Sequence, residues 1–158
     1  MRRILGYFIL FAIMMTSQIL AGTDYYVDAA NGNDANPGTE SLPWQTVQKA
    51  ANTIVAGDSV IVKAGKYTGK VYESTNGSPG SFITYQASGT VETEGFTISG
   101  DYIRVEGFNC SIIGECWTEN TIGIYVDGDY CEIEDNYIYN CSNYGIMTSQ
   151  NSNNCIIR

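Results

Sequence analysis

The chain has no histidine. That removes imidazole general bases, Ser-His triads and His-ligated metals together. It has no Cys-x-x-Cys pair, so zinc is not expected, and no signature of a nucleotide or haem site stands in its place. Basic residues are scarce, eight against 17 acids, for a formal net charge of −9. A chain with that balance does not draw in nucleic acid or an anionic membrane by Coulomb attraction. A polyanionic substrate would need a bridging cation or a local basic patch. The apolar run Ile4–Met15 holds twelve residues, short of the ~18–20 needed to cross a bilayer.

That short run has another reading. Arg2 and Arg3 precede it, and small and polar residues follow it as far as Ala21 and Gly22. Positive start, apolar middle and small-residue end make residues 1–22 a secretory signal peptide, with an uncleaved anchor as the alternative. Thr23, not cysteine, follows Gly22, which argues against a lipid-anchored start. The expected location is secreted or cell-surface, extracellular or periplasmic, with no membrane contact after cleavage. About 136 residues remain, enough for one small domain, and they keep all 17 acids but only six bases. Five cysteines in an exported chain are compatible with disulfides. The odd number leaves a free thiol, an intermolecular bond or a partner further along. Cys110 and Cys116 flank a segment that reads as an insertion, and Cys116 is a possible mate for Cys141. Connectivity is not readable from sequence.

What the chain has is a repeat. A glycine-led polar turn opens into an alternating strand four times: "GDSVIV" from Gly57, "GSFITY" from Gly80, "GDYIRV" from Gly100 and "GDYCEI" from Gly128. A fifth copy, "SNNCII" from Ser152, lacks the glycine. The apolar pairs are Val60/Val62, Ile83/Tyr85, Ile103/Val105, Cys131/Ile133 and Cys155/Ile157, and within each pair both side chains point to one face of a strand. "FTISGDY" at 96–102 recurs as "IYVDGDY" at 124–130, and "GIYV" at 123 as "GIMT" at 145. One insertion, "SIIGECWTEN" at 111–120, accounts for the longest step. Strands at this period, with polar turns and no helical stretch between them, predict an all-β parallel solenoid. A β-sandwich, which also has short evenly spaced strands, is the alternative. Stacking would place Val60, Ile83, Ile103, Cys131 and Cys155 over one another. It would also put Arg104 over Glu132, and Glu106 over Glu134 over Arg158. In "IEDNYIYNCSNYGIM", Ile133, Ile138 and Ile146 read as inward. Asn136, Asn140 and Asn154 fall at corners, where asparagine tolerates left-handed backbone.

Ahead of the coils, "YYVDA" reads as a strand and "NGNDANPGT" as turns. Apolar residues at 44, 47, 51, 54 and 55 make one helical face, with Gly57 at the helix stop. An amphipathic helix there would close the open top of the core. The domains are therefore 1–22 signal peptide, 23–57 N-terminal strand and capping helix, and 58–158 the first coils. No lower cap follows: the chain ends at Arg158 within its fifth strand, and the solenoid is expected to be C-terminally incomplete, the start of a longer protein.

The succession "YYVDAANGNDANPGTESLPWQTVQKAA", "AGDSVIVKAGKYTGKV" and "GSPGSFITYQASG" resembles the start of exported right-handed parallel β-helix proteins, including family-nine pectate lyases and related polysaccharide lyases. The resemblance covers roughly residues 24–110 and is specific for fold more than for activity. It implies right-handed coils, a polysaccharide partner and β-elimination on a uronate polymer. In such lyases a cation, commonly calcium, neutralises the substrate carboxyl while a Lys or Arg takes the α-proton. Their catalytic groups lie on later coils, so none is carried over and the catalytic residues stay unassigned. The acids that could hold calcium here are Asp127, Asp129, Glu132, Glu134 and Asp135, with a solvated acidic edge as the plainer reading. Asp28, Asn31, Asn33 and Asp34 are a further oxygen-rich set that reads first as turns. Tyr137 and Tyr139, either side of Ile138, face outward and are candidates for stacking on sugar rings, with a solvated strand face as the plainer reading. Lys63, Lys66 and Lys70 read as surface charges. The alternative function is a non-catalytic adhesin or carbohydrate-binding solenoid.

Overall fold

A computed structural model describes residues 22–111 and 122–158. The signal-peptide segment, the insertion beyond Ser111 and Cys116 lie outside the described residues. Twelve strands and one helix follow in order: β1 (Asp24–Val27), α1 (Val47–Ala51), β2 (Ser59–Tyr67), β3 (Val71–Glu73), β4 (Ile83–Thr93), β5 (Phe96–Ile98), β6 (Ile103–Glu106), β7 (Asn109–Ser111), β8 (Ile122–Val126), β9 (Glu132–Glu134), β10 (Tyr137–Tyr139), β11 (Tyr144–Thr148) and β12 (Ile156–Ile157). These strands pair in parallel, each with its counterpart one coil on. One face runs β1-β2-β4-β6-β9-β12, and another runs β3-β5-β8-β11. The far ends of β2 and β4 turn a corner and join β7 and β10 as the remaining side. The result is a right-handed parallel β-helix. Among the described residues, no helix is long and apolar enough to cross a membrane.

The interior is built from columns. Ile83 pairs with Ile103, and Tyr85 with Val105; Val105 pairs with Ile133, and Ile133 with Ile157. Continuing the register by one step places Cys131 beneath Ile103 and Cys155 beneath Cys131. Ile83, Tyr85, Ile103, Val105 and Cys131 are fully buried, each aliphatic one contributing roughly 1.5–3 kcal/mol. Burial pushes the Cys110 and Cys131 thiols up to about 12, so both pack as small apolar groups and not as nucleophiles.

The first coil departs from the expected column. Val60 pairs with Tyr85, not Ile83, and Val62 with Ala87. The same register puts Asp58 over Ile83. A two-residue shift keeps every side chain on its own face, so the apolar pattern is blind to it. Asp58 is buried, and its carboxylate accepts N–H bonds from Thr23 and Val55, both at 2.9 Å.

The Gly-Asp-Tyr turns each do three things. A Cβ on Gly128 would lie 1.9 Å from the Gly100 carbonyl oxygen, so backbone passes backbone too closely for any side chain. The aspartates form a ladder: Asn76 Oδ1 accepts the Asp101 N–H (3.0 Å), Asp101 Oδ1 accepts that of Asp129 (2.9 Å), and Asp129 Oδ1 that of Asn153 (2.7 Å). Tyr102 and Tyr130 adopt left-handed backbone, φ 55° and 56°, and their rings stack at 4.8 Å and 4°. Asn154 takes the same conformation one coil on, and Asn140 at its own corner. At the Asn136 corner the left-handed residue is Asp135 instead. The Asn136 amide bridges to the previous coil, accepting from Phe108 N and donating to the Val105 carbonyl.

The capping helix is shorter than the apolar spacing suggests. It covers Val47–Ala51, with Thr46 accepting the Lys49 N–H and Asn52 ending it. Trp44 lies outside it, bridged to Val27, stacked on Tyr25 and donating to the Asn36 carbonyl. The oxygen-rich loop is used up internally. Asp28 accepts from Ala30, Asn31 and the Asn31 amide, and Asn33 from Ala35. Asp34 accepts from Gln45 N, Thr46 N and Thr46 Oγ1. Burial raises the Asp34 carboxyl, but the bonds from Thr46 and Gln45 outweigh it and hold the group below the usual range. Gln48 closes the edge of β3: its amide accepts the Tyr72 N–H at 2.8 Å and donates to the Tyr72 carbonyl at 3.0 Å, as a neighbouring strand would.

One acid sits in the core. Glu73 is buried, its Oε2 bonded to the Tyr85 hydroxyl and its Oε1 to Thr75 N. Burial raises its carboxyl above the ordinary value, against the pull of those bonds. A raised folded value means stability present below the ordinary carboxylate range and lost as pH rises through the raised folded value. Urea melts should therefore show Glu73→Gln gaining on the wild-type chain as pH climbs from 4 to 8. Asp34 has the opposite sign, so the cost of Asp34→Ala, about 1–3 kcal/mol at neutral pH, should shrink as pH falls through the folded carboxyl's low value. Gly95 has φ +103°, and a Cβ there would lie 1.8 Å from the Gly123 carbonyl oxygen. Gly95→Ala should cost about 3 kcal/mol or more in the same melts.

Candidate functional site

The five acids singled out for calcium do not converge. Among the described residues, no three of His, Cys, Asp and Glu come together as a metal group. Asp129 serves the turn ladder. Glu132 lies under Arg104, with the Arg104 Nη2 at 2.5 Å and Nε at 2.7 Å from Glu132 Oε2. Arg158 reaches Glu134 at 2.6 Å. Asp127 and Asp135 are exposed. A calcium ion needs several oxygens at once, and three of these five carboxylates are engaged in the turn ladder and the ion pairs.

The outer face of the first sheet holds these charges as columns, Arg104 over Glu132 and Glu106 over Glu134, with Arg158 pairing Glu134 from the next coil. An aromatic edge flanks it. Phe82 meets Tyr102 edge-on at 5.6 Å, Tyr102 stacks on Tyr130, and Arg104 lies 4.9 Å over the Phe82 ring. Nothing in the sequence marked Phe82 as part of that row except its place one residue before Ile83, where Tyr102 and Tyr130 stand in later coils. Tyr137 and Tyr139 share the outer side of β10 with centroids 5.3 Å apart; Tyr137 is 66% exposed and Tyr139 half-buried.

A concave site lies elsewhere, where the cap meets the first corner. A cleft of about 450 Å³ is lined by residues 45–48, 66–71 and Ala29. Its floor is fixed by Tyr67, whose hydroxyl donates to the Lys63 carbonyl at 2.8 Å and accepts the Ala29 N–H at 3.1 Å. Burial raises the Tyr67 hydroxyl, so it stays protonated as a strut. The three lysines read as surface charges differ from one another. Lys63 stands 3.9 Å from Asp28. Lys66 is exposed. Lys70 is half-buried, with its ammonium donating to the Ile122 carbonyl at 2.5 Å, two coils away. Burial lowers its basicity, while Cys141, Cys110 and Glu94 nearby oppose the shift. The "surface charge" reading is thus corrected for Lys70, which ties corners together.

Comparison with known proteins follows the same lines. A family described as a protein of unknown function (DUF1565) matches residues 30–76. The uncharacterized protein YwoF of Bacillus subtilis (strain 168) is 29% identical, over 94% of this chain and 37% of its own length. Pectate lyase L of Dickeya dadantii (strain 3937) is 30% identical, over 73% of this chain and 26% of that protein. Among solved structures, pectate lyase Pel9A superimposes with a TM-score of 0.72 at 21% identity, covering 90% of this chain and 40% of that one. The GH136 lacto-N-biosidase from Eubacterium ramulus gives 0.70 at 17%, covering 85% and 30%. The chain thus spans two fifths or less of the length of each of these proteins. Parallel coils, helical cap and structural likeness agree: the chain has the fold of a pectate-lyase-like right-handed parallel β-helix.

Proposed function

We propose that the protein acts on polysaccharide, as a uronate polysaccharide lyase working by β-elimination. The observation that supports this reading is the agreement of two independent likenesses. Sequence similarity reaches a protein named pectate lyase, and the coil geometry reaches another. The chemistry asked of such a protein is removal of the proton α to a uronate carboxyl by a neutral base, with positive charge placed where the enolate develops. Neither arginine of the described coils is free for that work, because Arg104 and Arg158 are held by Glu132 and Glu134. The second reading is a non-catalytic adhesin or carbohydrate-binding solenoid, in which such outer columns are structural. The likeness to a lacto-N-biosidase shows the same fold beneath a different named activity.

Incubating the full-length gene product with polygalacturonate and with alginate, each with calcium or with chelator, tests the reading. Ultraviolet absorbance of an unsaturated product should rise on at least one polymer. A flat trace on both, from protein that retains its β-rich circular dichroism, would leave the non-catalytic reading in place.

A further inference from the structure

Two cysteines occupy one column of the core where the earlier coils place isoleucine. Ile83 and Ile103 stand above, and Cys131 and Cys155 follow beneath them. Cysteine is smaller than isoleucine and buries less apolar surface, so packing alone gives no reason for two in succession. Cys110, by contrast, lies over Ile138 and not over a second thiol.

The backbone presents the two thiols in the same way. Each cysteine follows a residue in left-handed conformation, Tyr130 at φ 56° and Asn154 at φ 56°. Each also precedes a short strand, β9 and β12. The Ile156 N–H donates to the Cys131 carbonyl at 2.8 Å, which holds the two segments in register at this point. Neighbouring parallel strands lie about 4.8 Å apart, inside the roughly 4.4–6.8 Å between Cα atoms that a disulfide spans. The sulfurs take equivalent places. Cys131 Sγ donates to the Gly100 carbonyl at 3.4 Å, and Cys155 Sγ to the Gly128 carbonyl at 3.3 Å. Each thiol thus points back towards the preceding coil, and the Cys155 thiol comes within hydrogen-bonding reach of Cys131.

We infer that Cys131 and Cys155 form a disulfide that staples two successive coils through their shared column. Two S–H bonds are lost and one S–S bond is made. Two protons leave, and two electrons reduce an external disulfide of the glutathione class to two thiols. The bond forms as the chain folds, while both thiols still meet solvent, because the finished core buries Cys131 completely. It needs the oxidising compartment that export would supply, and it is independent of any sugar chemistry. Its effect is local. Strand β12 has two residues, Ile156 and Ile157, and both are exposed. Little apolar burial holds that rung, and a covalent link beside it keeps the rung in register and limits the freedom of the unfolded chain.

Peptide mapping without reduction reads the bond. The protein is refolded from urea in reduced and oxidised glutathione, checked for β-rich circular dichroism, alkylated in denaturant and cut with chymotrypsin. Cleavage after Tyr130, Tyr137, Tyr139 and Tyr144 puts Cys131, Cys141 and Cys155 on three separate peptides. A linked species joining the Cys131 and Cys155 peptides should appear, two hydrogens lighter than their sum, and should vanish on reduction. Cys155→Ala should lose it and leave Cys131 alkylated. The same map on protein taken directly from the exporting cell's medium or periplasm keeps the test independent of refolding. Alkylated Cys131 and Cys155 in the oxidised, folded protein, or either one joined to Cys110, Cys116 or Cys141, would overturn the staple.

Discussion

The parallel hydrogen-bond ladder, which sets one coil directly on the next at about 4.8 Å, constrains everything else in this molecule. Each residue must tolerate its counterpart above and below. Apolar columns satisfy this easily, because Ile103 gains from lying between Ile83 and the next coil. Charged positions meet it by pairing across coils, as Arg104 does with Glu132 and Arg158 with Glu134, while the like-charged Glu106 lies over Glu134. Corners are hardest, since the chain turns there while its neighbours pass close by. The Gly-Asp-Tyr turn meets the constraint with a missing side chain, a carboxylate ladder and a ring stack. The left-handed backbone of Tyr102 and Tyr130 costs something of order 1–3 kcal/mol each, and ring stacking at 4.8 Å offsets part of that.

A stack also has ends, and the N-terminal cap shows how one is closed. Among the described residues strand β3 begins its sheet, and Gln48 supplies a peptide-like donor and acceptor at its open edge. Asp58 and Asp34 do the same for loose N–H groups over the core and ahead of the helix. Closing the end with side chains in place of a full coil leaves a concave junction where cap and first corner meet. The cleft is that junction.

Most of the fold was legible because a repeat reports many times over. The inward pairs from Ile83 to Ile157 follow the spacing read from the sequence, and so does Arg104 over Glu132. Where a feature occurs once, local pattern misled or was silent. The slip at Val60 conserves parity and is invisible to hydrophobic alternation. The apolar residues at 44 and 54 mimic a longer helix, yet Trp44 is held by a strand bridge and Tyr25. Glu73 gave no sign of burial, because its partner Tyr85 lies in the next coil, where only the fold brings it near. The candidate site was least legible for the same reason. Lys66 and Gln48 are far apart in sequence, and nothing in either residue says they line one cleft.

The account stands on in-register parallel stacking, and through-space NMR contacts test it most directly. Methyl-labelled protein should show cross-peaks between Ile83 and Ile103 and between Val105 and Ile133, with the strands lacking the strong Hα–Hα contacts of antiparallel pairs. Strong Hα–Hα contacts linking these segments, with those methyl pairs silent, would establish a sandwich and contradict the solenoid.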